Sequence, residues 1–258
     1  MRQPVVLAPA RLAALVRDVF ARHGMSTDHA RLAADVLVWA ELRGMSTHGV
    51  MRVPRYVDWI RKGDLNARPR ISTVLDVPAA TVLDCDRAAG PIAMMAARER
   101  ACEKARSAGI GLALVKDTTH TAALGYYTQH AARDGFAAIA MSASLPLMAY
   151  HGARAAGVST APLSVAVPGE DEPMALDMAS SLISMGALAK ARRSGAPIPA
   201  GAALSADGRP TTDAAKGAIP LPLGGPKGSG LALLAECLCS LLVANPILAE
   251  SHERTPKA

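Results

Sequence analysis

The chain of 258 residues is half apolar and 19% charged, with a formal charge of +6 and a mean hydropathy of +0.19. It is long enough for one large domain or two small ones, and too apolar for a disordered chain. Its 21 glycines lack a G-X-Y period, and four cysteines are too few for a disulfide scaffold of this size, so collagen and a stapled secreted fold are excluded.

Basic residues occur as singles and pairs such as Arg192-Arg193, never interleaved with aromatics. This favours small anionic ligands over nucleic acid as partners. Met1–Leu7 has the look of a signal-peptide start, but Arg11 and Arg17 interrupt it and no small-residue cleavage site follows. The apolar stretches Phe136–Tyr150 and Leu231–Val243 are broken by Pro146 and Glu236 and read as too short for a bilayer. A soluble, cytoplasmic protein without membrane partners is expected. Cys237 and Cys239 lie two apart in a helical run, and His23, His29, His130, His151 and His252 lack ligand spacing, so no metal site is expected.

In chain order, Leu12, Leu15, Val16, Val19 and Phe20 recur at helical spacing up to Gly24. Ser26, Thr27 and Asp28 offer caps for a second helix with Leu32, Val36, Leu37 and Ala40 on its apolar face. A third helix is predicted after Gly49, with Pro54 in its first turn and Gly63 at its end. Residues 66–78 read as a linker or crossing segment. Then the pattern becomes α/β: a strand at Thr81–Cys85, a helix from Ile92 to Ser107, and a buried strand at Ile110–Val115. After the polar loop Asp117–His120 comes a helix ending before Gly135. Strands are predicted at Phe136–Met141, Leu163–Val167 and Ala175–Met178, and a helix capped by Ser180 or Ser181 is predicted to run to Arg193. Residues 195–230, with six prolines and eight glycines, read as loop before a last helix at Leu231–Leu242. The organisation is therefore a helical segment over 1–75, an α/β domain over 76–245 and a charged tail over 246–258.

Three clusters carry chemistry. In Arg43–Arg52, His48 and Arg52 lie four apart and share a face if the third helix starts near Gly49. The imidazole exchanges protons near neutrality, the guanidinium grips carboxylates, and the Thr47 hydroxyl can orient the imidazole. The same residues also suit a cap, a surface His and a solvated Arg. Asp117–Tyr127 follows a strand and opens a helix, where open α/β sheets place ligands and helix amides meet anions; an ordinary loop capped by Thr119 fits equally. Gly224–Gly230 sets Lys227 among glycines before a helix, as a phosphate cradle or as a flexible turn. No GxxxxGK[ST], GxGxxG after a strand, G-x-S-x-G or HExxH is present.

Taken together, these segments resemble the type-2 malate/L-lactate dehydrogenase family, which includes ureidoglycolate, sulfolactate and cyclic imino-acid oxidoreductases. Glu41–Tyr56, ELRGMSTHGVMRVPRY, is similar to the family stretch with Ser-His-Gly followed by Arg and then Pro-Arg-Tyr. Asp117–Tyr127 resembles its Asn-Ser-x-His-Phe-Gly-x-x-Gly-Tyr-Tyr, Leu176–Ser181 its Leu-Asp-Met-Ala-Thr-Ser, and Gly224–Leu231 its Gly-His-Lys-Gly-Tyr-Gly-Leu. The order and spacing hold to about residue 245.

The resemblance implies a mixed α/β, non-Rossmann nicotinamide-binding fold, a homodimer, and hydride transfer between NAD or NADP and a small 2-hydroxy or 2-keto acid such as malate or lactate. Carried over, His48 is the proton donor and acceptor, Thr47 replaces a relay serine, and Arg52 binds the substrate carboxylate. Thr160 touches substrate. His120, Thr121, Ala122, Ala123 and Leu124 line the cofactor, as do Met178, Ala179, Ser180 and Lys227. There are departures. The family's Gly-Thr-Asn-Pro reads Ser159-Thr160-Ala161-Pro162, and its Ala-Arg-Gly reads Ser184-Met185-Gly186, followed by Ala187. Family chains also continue past the point where this one stops, and that region supplies more of the substrate domain and a late cofactor contact. This apparent shortening gives an alternative expectation, a pseudoenzyme that dimerises or binds cofactor without catalysis.

Overall fold

The structure is a computed structural model that describes residues 6–244, so the expected tail over 246–258 lies outside the described residues. The chain divides into two compact units, Met1–His130 and Ala131–Ala258.

The first unit opens on three helices. Helix α1, Pro9–Arg22, starts on a proline and buries Val16 and Phe20. Ser26 Oγ accepts the His29 N–H at 3.2 Å and so caps α2, Thr27–Leu42, which buries seven residues from Ala30 to Ala40. Between α2 and α3 (Val53–Lys62) the chain makes two 3₁₀ turns, Ser46–His48 and Val50–Arg52. The third helix thus begins later than its sequence suggests, because Gly49 is extended between the turns, with φ −97° and ψ −148°. Gly63 ends α3 at φ +77°. Phe20, Tyr56 and Trp59 stack at ring separations of 5.9 and 5.7 Å, and Leu65 is buried too.

Residues expected as a linker contain strand β1, Ser72–Val77, which pairs antiparallel with β2, Ala80–Ala88. Every β1 residue is exposed, so the segment lacks the alternation that marks a strand in sequence. Helix α4, Gly90–Ala108, crosses over to β3, Leu112–Thr118, which lies parallel to β2 in the order β1-β2-β3. The expected buried strand at Ile110–Val115 is thus shifted to the sheet edge, with Ile110 70% and Leu112 47% exposed. Helix α5, Leu124–Arg133, follows the loop after β3.

In the second unit come β4 (Ala138–Met141), β5 (Met148–Ala149), β6 (Ala156–Val158), β7 (Leu163–Val167) and β8 (Met174–Met178). They form an antiparallel sheet β4-β7-β8 and a small β5-β6 pair. Helix α6, Met185–Ser194, is capped by Ser184 rather than by Ser180 or Ser181: Ser184 Oγ accepts the Ala187 N–H at 3.1 Å. The stretch expected as loop holds a sheet of β9 (Ala203–Ser205), β10 (Pro210–Thr211) and β11 (Gly217–Pro220). Around it Ile183, Leu188, Ile198, Ala202, Ala203 and Ala214 form a core.

The last helix, α7, runs Pro226–Cys239 and so starts five residues before its expected position. With the turn after it, Pro226–Val243 is long and apolar enough to cross a membrane by length and composition, contrary to the shorter run read in the sequence. Its small residues pack inward: Ala232 and Ala235 join Met148, Val158 and Ala161 in a second core. Among the described strands only β2 and β3 pair in parallel. The fold is mixed α/β and not the doubly wound parallel sheet of a Rossmann domain.

Candidate active site

In the first unit the turns before α3 and the loop after β3 bring two imidazoles together. His48 and His120 stack with ring centres 5.4 Å apart and planes 27° from parallel. Thr47 Oγ1 lies 3.2 Å from His48 Nδ1. Arg52 reaches back to this turn, its Nε donating to the Thr47 carbonyl at 2.6 Å. The reach of Arg52 from the second turn back to the first, rather than a shared helix face, therefore couples His48 and Arg52. No described residue bonds Nη1 or Nη2 of Arg52, so two parallel donors remain for a carboxylate.

Burial, and secondly the Arg52 charge, push the His48 pKa down to about 4. Burial holds His120 well below the ordinary histidine value as well, aided by Arg52 and then His48. A neutral imidazole can accept a proton and a guanidinium can hold an acid group, so the cluster has the chemistry for both.

The loop under His120 is fixed by α3, β2 and α5. The Tyr56 hydroxyl donates to the His120 carbonyl at 2.7 Å, and that of Tyr127 donates to the Thr121 carbonyl at 2.6 Å. Thr118 and Thr119 hydroxyls both donate to the Ala88 carbonyl at 3.2 Å. Among the described residues the amides of Thr121, Ala123 and Leu124 have no acceptor. They sit at the start of a ten-residue helix, where free N–H groups and the helix dipole suit an anion.

In the second unit Thr160 and Ser180 meet: the Ser180 amide and hydroxyl both donate to the Thr160 carbonyl at 2.9 Å. The Ser180 carbonyl in turn accepts the Leu223 N–H at 2.8 Å. A Cβ on Gly228 would stand 2.6 Å from the Ser180 oxygen, so only glycine fits beside this junction. Met178 closes β8 opposite Leu163, and Ala179 follows it. In the Gly224–Gly230 turn the amides of Lys227 and Gly228 are spent on Gly224 and Leu223 carbonyls. The turn therefore offers no ring of free amides, and its remaining anion-binding group is the exposed Lys227 ammonium.

A profile of the malate/L-lactate dehydrogenase family matches residues 7–258. The L-sulfolactate dehydrogenase of Methanocaldococcus jannaschii is 36% identical over 240 residues, which are 92% of this chain and 70% of that protein. The chain belongs to the malate/L-lactate dehydrogenase family. The ureidoglycolate dehydrogenase (NAD(+)) of Escherichia coli K12 is 34% identical over 90% of this chain and 67% of its own length. In three dimensions the malate dehydrogenase of Pyrococcus horikoshii superposes with a TM-score of 0.85 at 32% identity, covering 94% of this chain and 69% of that one.

For this member of the malate/L-lactate dehydrogenase family, the departures from the resembling segments have structural settings. Ala161 is buried beside Met148, Val158, Ala232 and Ala235. Met185 opens α6 directly after its cap. Three supports escaped the sequence reading. Tyr56 is 64 residues from His120, and Tyr127 acts through a backbone carbonyl, so neither spacing signals a role. Gly90 is the third: a Cβ there would collide with the His120 carbonyl and stand 2.5 Å from Thr121 Cα. Both obstacles are backbone and cannot swing aside. Gly90→Ala is therefore expected to cost about 2 kcal/mol or more of stability, read as a lower urea midpoint. An unchanged midpoint would show that the loop is looser than its packing.

Proposed function

We propose that this chain is a soluble NAD(P)-dependent oxidoreductase acting on a small 2-hydroxy acid and its 2-oxo partner, such as malate or lactate. The observation that carries the reading is the neutral, half-buried His48 beside the unspent donors of Arg52. Arg52 binds the substrate carboxylate through Nη1 and Nη2. This grip fixes the neighbouring carbon and its oxygen relative to His48. His48 takes the hydroxyl proton during oxidation and returns it during reduction, and Thr47 holds Nδ1.

The free amides at the α5 start suit the anionic part of a dinucleotide, and this supports His120, Thr121, Ala122, Ala123 and Leu124 as cofactor contacts. Met178, Ala179, Ser180 and the unpaired Lys227 ammonium are the proposed contacts in the second unit, with Thr160 against substrate. The bound nicotinamide supplies or accepts the hydride. The working unit is a homodimer.

A pKa near 4 leaves His48 unprotonated at neutral pH but a weak base, and almost none of it carries the proton that reduction needs. A substrate carboxylate on Arg52 offsets the positive charge that helps depress His48. The expected result is an upward shift of His48 by about one unit when oxalate binds, followed by NMR titration of its ring protons. A His48 pKa indifferent to oxalate would remove Arg52 as the carboxylate clamp.

The direct test follows NADH and NADPH oxidation with pyruvate and oxaloacetate, beside a fluorescence titration of each cofactor. Turnover with one of these acids is expected. Tight cofactor binding without oxidation of either acid would favour the non-catalytic module.

A further inference from the structure

The two stacked imidazoles differ in what holds Nδ1. At His48 the partner is the Thr47 hydroxyl, which donates or accepts by rotating. At His120 one partner is the Ala122 amide, whose N–H points at Nδ1 from 3.3 Å. An amide can only donate, so His120 Nδ1 must present a lone pair. The Tyr56 hydroxyl lies 3.2 Å from the same nitrogen and 2.7 Å from the His120 carbonyl. The hydroxyl proton goes to the carbonyl, and its oxygen packs against the nitrogen and holds the ring beside the Ala122 amide.

The arrangement is held at some conformational cost. Ala122 adopts a left-handed backbone with φ +57°, rare for a residue with a side chain, directly after the amide that meets the ring. Tyr56 is fully buried between Phe20 and Trp59, so its hydroxyl cannot swing away. Tyr127 and Gly90 fix the loop on its other sides.

We infer that Tyr56 is a positioning residue that, with the Ala122 amide, locks His120 as the neutral tautomer protonated on Nε2. His120 is then a fixed hydrogen-bond donor, and proton exchange falls to His48 alone. The consequence for turnover rests on the reading of His48 proposed above; the tautomer does not.

The test is nitrogen NMR on the full chain labelled with ¹⁵N-histidine, at neutral pH and without ligand. His120 is assigned by its loss in His120→Asn, or in the wild type from contacts with the Ala122 amide proton. A pyridine-type Nδ1 and a pyrrole-type Nε2 are expected; a protonated Nδ1 overturns the inference. Tyr56→Phe keeps the stacked ring and removes the hydroxyl. It is expected to give a tautomer mixture at His120 and to lower kcat about tenfold. A variant with the wild-type tautomer and the wild-type kcat overturns the role of Tyr56. Absent turnover in a wild type that shows the expected tautomer would instead refute the assigned reaction.

Discussion

Replacing His48 by alanine is expected to lower kcat by about 10²- to 10⁴-fold, the range for a positioned acid–base group. The substituted atoms belong to the turn between α2 and α3, stack on His120, and include none of the amides of Thr121, Ala123 and Leu124. Cofactor affinity should therefore stay close to that of the wild type. Nor does the carboxylate clamp go, since Arg52 bonds the Thr47 backbone and not the imidazole. The substrate KM should consequently move much less than kcat. Steady-state kinetics with a cofactor titration separate these quantities. A variant that keeps wild-type turnover would remove His48 from the chemistry.

Arg52→Met has a different signature. It takes away both free Nη donors and leaves a substrate carboxylate unpaired in a half-buried site. Loss of one partner in such a pair costs about 2–5 kcal/mol, so kcat/KM for a 2-oxo acid should fall by about a thousandfold. The same change removes the charge that is the second cause of the depressed His48 pKa. His48 should then titrate higher in Arg52→Met than in the wild type, with burial still holding it below the ordinary value. The kinetic loss and the rise in pKa are independent readouts of one guanidinium. A fall in kcat/KM without any movement of His48 would place Arg52 on the substrate but electrically remote from the imidazole.

What the sequence discloses follows physical rules. Helices α1, α2 and α3 are legible because their signals are local: Pro9 and Ser26 open the first two, and Gly63 closes the third. Strand β1 hides because all six of its residues are exposed, Val74, Leu75 and Val77 along with Ser72, Thr73 and Asp76, so no buried face marks it. Strands β9, β10 and β11 are two to four residues long and sit among glycines and prolines, too short for any period to register. The start of α7 is obscured by Gly228, a poor helix former retained where a side chain would strike the Ser180 and Leu223 carbonyls.

At the site, the approach of Arg52 to His48 was legible from their spacing, though a turn and the Thr47 carbonyl produce it. Glu41 shows the opposite case. Its carboxylate accepts the Ser46 hydroxyl at 2.8 Å and the Val50 amide at 3.1 Å, bracing the turn that carries His48. That contact depends on Gly49, whose missing side chain leaves room for the carboxylate. A glycine motif seen in sequence does not say which group it admits.

Hydride exchange between nicotinamide and substrate carbon is most directly tested with labelled cofactor. The wild-type chain is incubated with NADH or NADPH deuterated at the transferable C4 position and with oxaloacetate or pyruvate, and the product is examined by mass spectrometry. Deuterium on C2 of the resulting 2-hydroxy acid is the expected result. Bound cofactor with no labelled hydroxy acid from either substrate would contradict it.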